Sequence, residues 1–236
     1  MINFKDLQFM SIGSNCVYLA CFDRKTRLKG PMDNAVIKSV NGLKLVINNE
    51  LYDFVKNTAS QRRHKNSNEF RPGDCEWETI YPNRTICFVH NIPEGDKFFA
   101  EFKIRCDRLA EFLTDVKEND NKWLIFTLNG NFVKYHTGEL IENSLEEVFT
   151  YLSEIGLLSK TIIIGSRVLK SEYKVFDHHL NRESFNKLKE KFSQINYIEL
   201  NDVNAWEPDN TIKQFNEKMP IFIEAILARK EQLCQN

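Results

Sequence analysis

Residues 123–128, WLIFTL, are the clearest indication of the fold class, because five of the six are apolar and a turn-forming NGN at 129–131 follows directly. A strand with one face in water alternates apolar and polar residues, whereas a strand covered on both faces is apolar nearly throughout. Upstream, apolar side chains recur every three or four residues over 96–116, which is the spacing of one helix face. The stretch therefore predicts a buried strand between an amphipathic helix and a turn.

The same alternation of strand and helix extends in both directions along the chain. We expect further strands at 7–12, 84–89, 161–164 and 197–200, a helix start at 16–22, and helices at 35–55, 145–155 and 185–195. The last helical region contains Pro220, which must kink or restart it. This order favours a three-layer α/β fold, with a mostly parallel sheet and helices on both faces.

Length, composition and charge bound the kind of protein. With 236 residues, 42% of them hydrophobic, the chain predicts a single α/β domain over 1–236, with a long polar surface loop at about 56–78. A net charge of -1 gives no reason to expect a nucleic-acid partner. Lys5 and Asp6 interrupt the apolar run that a secretion signal needs, and no segment predicts a membrane span, so we expect a cytoplasmic protein.

The six cysteines form no C-x-x-C pair, so we expect mostly free thiols and no metal site. The chain contains neither G-x-G-x-x-G nor G-x-x-x-x-G-K-[ST], and no cofactor is expected to be required. The oligomeric state stays open at this point.

Ligands of open parallel sheets bind where the carboxyl ends of the strands gather. Three predicted strand ends qualify: 13–16, His90-Asn91 and 129–131. At the first, Cys16 follows a tight turn at the start of a predicted helix, where the helix dipole favours thiolate. Gly13 permits close backbone approach, and the Asn15 side chain could donate to an oxyanion. The alternative is that Cys16 is a small buried residue of the core.

His90 ends another predicted strand and is the candidate base for the Cys16 thiol. Its alternative role is that of a hydrogen-bonded loop histidine. His64, His136, His178 and His179 are less persuasive from their sequence positions.

Arg105 falls on the apolar stripe of the predicted helix 96–116, where a guanidinium needs a structural ion pair or an anionic ligand. Arg108 lies one turn further along, towards the solvated flank, and is a second candidate for substrate binding. Asp33 is the candidate to pair with Arg105 or to orient His90, and its alternative role is that of a turn or N-cap aspartate.

Four short motifs occur in this order: 11–16 (SIGSNC), 30–33 (GPMD), 86–90 (ICFVH) and 105–108 (RCDR). Together they resemble a bacterial family of uncharacterised papain-like cysteine peptidases. That resemblance implies that Cys16 is the nucleophile and His90 its base, with Asp33 and Arg105 in the pocket. Where the family has Phe-Asp-Trp after the proline and a His-Asp pair, this chain has Met32-Asp33-Asn34 and His90-Asn91, so the third catalytic member stays open.

The Asn15-Cys16 theme is also similar, more distantly, to that of capsule-biosynthesis acyltransferases, which bind coenzyme A. By that resemblance coenzyme A is a candidate acyl donor, and the substrate is a small-molecule, peptide or polysaccharide-linked acyl group.

Two functions follow from these residues. The first is a cysteine-nucleophile acyl-transfer enzyme, either a peptidase-like hydrolase or an acyltransferase, that uses Cys16 and His90 through a thioester intermediate. The second is a non-catalytic α/β module, in which Arg105, Asn15 and a helix N-terminus hold a carboxylate or phosphate.

Overall fold

The computed structural model describes residues 6–13, 28–33, 35–64, 77–88, 93–134, 137–167, 178–201 and 208–234. In these residues the strands, numbered in chain order, are β1 (Gln8–Gly13), β2 (Ala35–Ile37), β3 (Gln61–His64), β4 (Trp77–Ile80), β5 (Ile86–Phe88), β6 (Lys122–Thr127), β7 (Thr161–Arg167) and β8 (Asn196–Asn201). The α-helices are α1 (Val40–Ile47), α2 (Leu51–Asn57), α3 (Gly95–Asp115), α4 (Ser144–Glu154), α5 (Arg182–Lys191) and α6 (Pro208–Cys234).

A four-stranded sheet in the order β1-β6-β7-β8 forms the centre of the fold, and all of its pairs are parallel. Met10 is in register with Leu124, Leu124 with Thr161, and Ile162 with Asn196. The predicted strand at 123–128 is therefore confirmed as β6, which lies between β1 and β7. Parallel pairing brings the carboxyl ends of these strands to one edge of the sheet.

The two faces of this sheet pack against different helices. Alternate side chains on one face, among them Met10, Leu124 and Ile163, belong to a buried cluster with residues of α1, α3, α4 and α5. The side chains on the opposite face of the sheet, including Trp123 and Ile162, pack against α6. Because both faces are covered, the two central strands, β6 and β7, are apolar at consecutive positions. The predicted α/β class, with a parallel sheet and helices on both faces, is confirmed.

A second, antiparallel sheet in the order β2-β5-β4-β3 was not expected from the sequence. Its presence corrects the prediction of one helix over 35–55, because Ala35–Ile37 is a buried strand paired with β5. The helical part starts after Ser39, and Asn49, with φ of 60°, separates α1 from α2. A short apolar run of this kind does not by itself distinguish a strand from a helix turn.

The described parts of the segment at about 56–78, where we expected a long polar loop, include regular secondary structure. α2 reaches Asn57, β3 occupies Gln61–His64, and β4 begins at Trp77. All four side chains of β3 are exposed, so its sequence carries no apolar alternation that could have indicated a strand. Residues 65–76 lie outside the described part of the chain.

The terminal helix α6 continues through Pro220 as one element and does not restart there. Phe215 and Met219 before the proline, and Ile223 after it, are buried against the sheet. This packing on both sides offsets the cost of about 3 kcal/mol that a proline imposes inside a helix. Among the described helices, none combines the length and the apolar character needed to cross a membrane.

Candidate functional site

The two residues on which the catalytic hypothesis rests, Cys16 and His90, fall outside the described residues, as does Asn15. Gly13, Asp33, Arg105 and Arg108 are described. The neighbourhood of the candidate site is therefore built from the elements that flank these positions.

Gly13 ends β1 at the carboxyl edge of the parallel sheet. Its carbonyl oxygen lies 3.5 Å from Oγ1 of Thr127, which donates to it from the end of β6. A Cβ atom at Gly13 would lie 2.5 Å from Cδ1 of Ile37, the last residue of β2. A larger residue at this position would displace the Ile37 side chain, which packs against the carboxyl end of β1.

Asp33 ends a short 3₁₀ helix, Pro31–Asp33, that packs beside β1. The segment leading to it follows β1, since the Leu28 amide donates to the Phe9 carbonyl oxygen at 3.2 Å. The Asp33 side chain is buried, and its Oδ1 accepts from the Gly30 amide at 3.4 Å. The hydrogen bond within the turn agrees with the alternative role of Asp33 as a turn aspartate. The same side chain places a carboxylate in the interior.

The helix α3 carries both candidate arginines, and Arg108 contacts the segment that leads to this turn. Nη1 of Arg108 donates to the Lys29 carbonyl oxygen at 2.7 Å, so its guanidinium binds the segment that carries Asp33. Arg105 is half-buried, one turn earlier, between the buried residues Phe102 and Leu109. Both side chains have arginine's fixed positive charge, which suits them to hold a backbone carbonyl or an anion.

The strand β5 ends beside the same turn. Phe88, its last residue, is in register with Ala35, two residues after Asp33. The Phe88 ring makes edge contacts with Phe98 and Phe102 of α3, at centroid distances of 5.9 and 5.7 Å. The 3₁₀ helix Pro31–Asp33 contacts β1, β2 and α3. The strand β5 pairs with β2 and so ends near this helix.

The side chains of two of the six cysteines, Cys87 and Cys106, are described, and both are buried free thiols, as expected. Burial raises the pKa of the Cys106 thiol to about 12, so that it stays protonated at neutral pH. Sγ of Cys87 lies 3.4 Å from Oε2 of the buried Glu78 and donates to it. Neither environment favours a thiolate, and neither cysteine is suited to nucleophilic catalysis.

His178 is a buried histidine near this edge whose position the sequence did not indicate. It is 8% exposed and lies at the carboxyl edge, where its carbonyl oxygen accepts from the Ser166 amide of β7 at 2.8 Å. A Cβ at Gly130, just beyond β6, would lie 3.5 Å from Cε1 of His178. The stretch 129–131 pointed to this edge, but nothing in the sequence linked it to residue 178.

Asn129 connects this part of the edge to the antiparallel sheet. Its Nδ2 donates to the Ile37 carbonyl oxygen at 3.3 Å, and its Oδ1 accepts from the Asn131 amide at 2.8 Å. Within the described ranges, no three His, Cys, Asp or Glu side chains are grouped so that they could hold a metal ion.

Comparison of the chain with family models, with curated proteins and with solved structures found no match. What is proposed about function therefore rests on the residues and their surroundings.

Proposed function

We propose that the protein is an acyl-transfer enzyme, a peptidase-like hydrolase or an acyltransferase, in which Cys16 is the nucleophile and His90 its base. The observation that carries this proposal is the set of contacts around the 3₁₀ helix Pro31–Asp33. This turn holds a buried carboxylate and touches β1, β2 and α3. The chain leads to Cys16 from β1 and to His90 from β5, which is the partner of β2.

Chain length supports the pairing of these residues. Cys16 follows Gly13 by three residues, a chain span of at most about 11 Å, and His90 follows Phe88 by two, a span of at most about 7 Å. Gly13 ends β1, which contacts the 3₁₀ helix that carries Asp33. Phe88 ends β5, which pairs with β2 directly after that helix. The resemblance of the four motifs to papain-like cysteine peptidases supports the same assignment of roles.

In the proposed reaction, His90 takes the proton of the Cys16 thiol, and the thiolate attacks the carbonyl carbon of the acyl donor. The tetrahedral intermediate collapses to a thioester on Cys16, while the imidazolium of His90 returns the proton to the leaving group. Water or an acceptor hydroxyl then attacks the thioester with His90 as base. This second step releases an acid or a new ester and regenerates the thiol.

The remaining residues have supporting roles in this scheme. Amides that follow Gly13 and the Asn15 side chain stabilise the oxyanion, because hydrogen-bond donors aimed at developing negative charge lower the barrier. Asp33 orients the imidazole of His90, and Arg105 binds an anionic part of the substrate. Arg108 acts through Lys29, by holding the segment that ends at Asp33. An acyl-coenzyme A is a candidate donor, because the coenzyme A thiolate would be the leaving group of the first step and would take the proton from the His90 imidazolium.

Alkylation kinetics test the proposal. Iodoacetamide should label Cys16 at least tenfold faster than any other cysteine at pH 7, because a thiolate beside a base is the reactive form. His90→Ala should slow this labelling about tenfold. His178→Ala is the matched control, because it removes a histidine that the structure describes at the carboxyl edge. It should leave the rate within about twofold. Peptide mapping by mass spectrometry assigns each label to its cysteine.

A thioester adduct gives a second readout. Incubation with an acyl-coenzyme A series or a peptide library should add an acyl mass to Cys16 that Cys16→Ser loses. Equal labelling of all cysteines, or a rate that His90→Ala leaves unchanged, contradicts the proposed pair. A rate that depends on His178 and not on His90 would contradict the assignment of the base.

The half-buried position of Arg105 also favours a second candidate, a module that binds a carboxylate or phosphate without turnover. In that case Cys16→Ser keeps the affinity for an acyl-coenzyme A or for phosphate, Arg105→Ala abolishes it, and no adduct forms. An affinity that does not depend on Arg105 argues against this candidate.

A further inference from the structure

A cavity of about 450 Å³ lies at the amino ends of the parallel strands, at the edge of the sheet opposite Gly13. Trp123 near the start of β6, Lys160 directly before β7 and Asn196 at the start of β8 line it. The last turns of α6 close one side with Ile226 and Leu227. Its volume is within the range of about 300–1,000 Å³ that is typical of small-molecule sites.

Positive charge exceeds negative charge around this cavity. Lys117, Lys160 and Arg229 line it together with one carboxylate, Asp120. Lys160 is buried, and its Nζ donates to the Asn119 carbonyl oxygen at 2.8 Å and lies 3.4 Å from Oδ1 of Asp120. A buried ammonium held in this way is a fixed charge at the wall, which a ligand meets without ordering a long flexible side chain.

The rest of the wall is mostly apolar, although it lies at the surface. Ile226 and Leu227 present aliphatic surface. The Trp123 ring is buried beneath, with Nζ of Lys160 at 4.7 Å from its centroid. Polar groups are present at the rim, at Ser159 and Ser193. Apolar walls with a few convergent charged and polar groups are the usual composition of sites for organic ligands.

We propose that this cavity binds an organic anion, with its apolar body against Ile226 and Leu227 and its acidic group among Lys117, Lys160 and Arg229. The site is separate from the proposed acyl-transfer site, because it uses the other edge of the sheet. A ligand here therefore does not compete with the acyl substrate for space, and the proposal does not depend on the chemistry of Cys16.

Two fluorescent probes separate the contribution of charge from that of apolar contact, and both are used on the full chain. 8-Anilinonaphthalene-1-sulfonate is a flat aromatic anion, and N-phenyl-1-naphthylamine is its neutral counterpart. The sulfonate should bind at one site per chain. The double variant Lys117→Ala/Arg229→Ala should weaken the sulfonate at least fivefold and change the neutral probe by less than twofold. Both side chains are exposed, so this variant should fold, which near-UV circular dichroism checks.

A second variant tests the location of binding. Ser193→Trp places a large side chain at the exposed rim of the cavity and should weaken both probes at least fivefold. Lys187→Ala is the matched control for charge. Lys187 is exposed on α5, its Nζ lies 2.6 Å from Oε1 of Glu183, and it does not line the cavity. It should change neither affinity by more than twofold.

Three outcomes would overturn the proposal. The first is sulfonate binding that the double variant leaves unchanged, and the second is binding of both probes that Ser193→Trp leaves unchanged. The third is the absence of saturable sulfonate binding to the folded protein.

Discussion

Arg108 in α3 donates a hydrogen bond to the backbone carbonyl oxygen of Lys29, 79 positions earlier in the chain, at 2.7 Å. The bond joins the helix to the segment 28–33, which runs beside β1 and ends at the buried Asp33. A guanidinium is well suited to this contact, because it bonds a carbonyl while its other donors stay in water. The position of the Asp33 carboxylate relative to β1 thus depends on a contact with α3.

Arg108→Ala should lower the free energy of unfolding by about 1 kcal/mol, the value of a partly exposed hydrogen bond to a charged group. Urea denaturation measures the loss. Hydrogen exchange of the Leu28 amide, which bonds to Phe9, should become faster than in the wild type. Arg62→Ala is the control, because Arg62 forms an exposed pair with Glu94 and should cost less. Equal losses from the two variants would argue against a specific role of Arg108.

Gly13→Ala should destabilise the fold by about 1–3 kcal/mol, because the added Cβ would lie 2.5 Å from Cδ1 of Ile37. Ile37→Val removes that methyl carbon. The double variant should therefore lose less stability than the sum of the two single variants, as a double-mutant cycle in urea measures. Strict additivity would mean that the contact between β1 and β2 is not the source of the cost.

Cys106 makes the stability depend on alkaline pH. Burial raises the pKa of its thiol from about 9 to about 12, so above pH 9 the unfolded chain ionises while the native state keeps the proton. The free energy of unfolding should fall as the pH rises from about 9 to 12, and Cys106→Ala should make that decline shallower. Burial also raises the pKa of Tyr81 to about 12, so part of the decline should remain in the variant. A variant with the same slope as the wild type would contradict this explanation.

Glu78 and Arg63 should respond unequally to substitution. Nε of Arg63 lies 2.7 Å from Oε1 of Glu78, but the arginine side chain is 50% exposed whereas the carboxylate is buried. Arg63→Ala leaves a buried carboxylate without this partner and should cost about 2–3 kcal/mol. Glu78→Gln leaves a guanidinium that water solvates and should cost about 1 kcal/mol or less. Thermal and urea unfolding of the two variants would show the order, and the reverse order would contradict it.

The elements that the sequence predicted well are those with a long apolar pattern. The helix expected at 96–116 is α3, Gly95–Asp115, and the strand expected at 123–128 is β6. In each element the spacing of its own apolar residues predicts the secondary structure, because one face or both faces are buried along the whole element. The strand β3 shows the opposite case, since its four side chains are exposed and its pairing with β4 depends on the backbone.

For the candidate site, too, the sequence indicated some positions and not others. The rule that ligands bind at strand ends selected Gly13 and residues 129–131, and both lie at the carboxyl edge of the parallel sheet. The sequence did not show that His178 approaches Gly130, since 48 positions separate them. Nor could it place Asp33 inside the protein, because that burial follows from packing between β1, β2 and α3.

The α/β class can be read from the amino-acid sequence, because burial on both faces leaves apolar residues at consecutive positions in each central strand. The antiparallel sheet, the neighbours of Asp33 and the cavity at the amino ends of the strands depend on tertiary packing. These features form where segments distant in the chain meet. Their stability comes from contacts between those segments, which a local pattern of residues does not indicate.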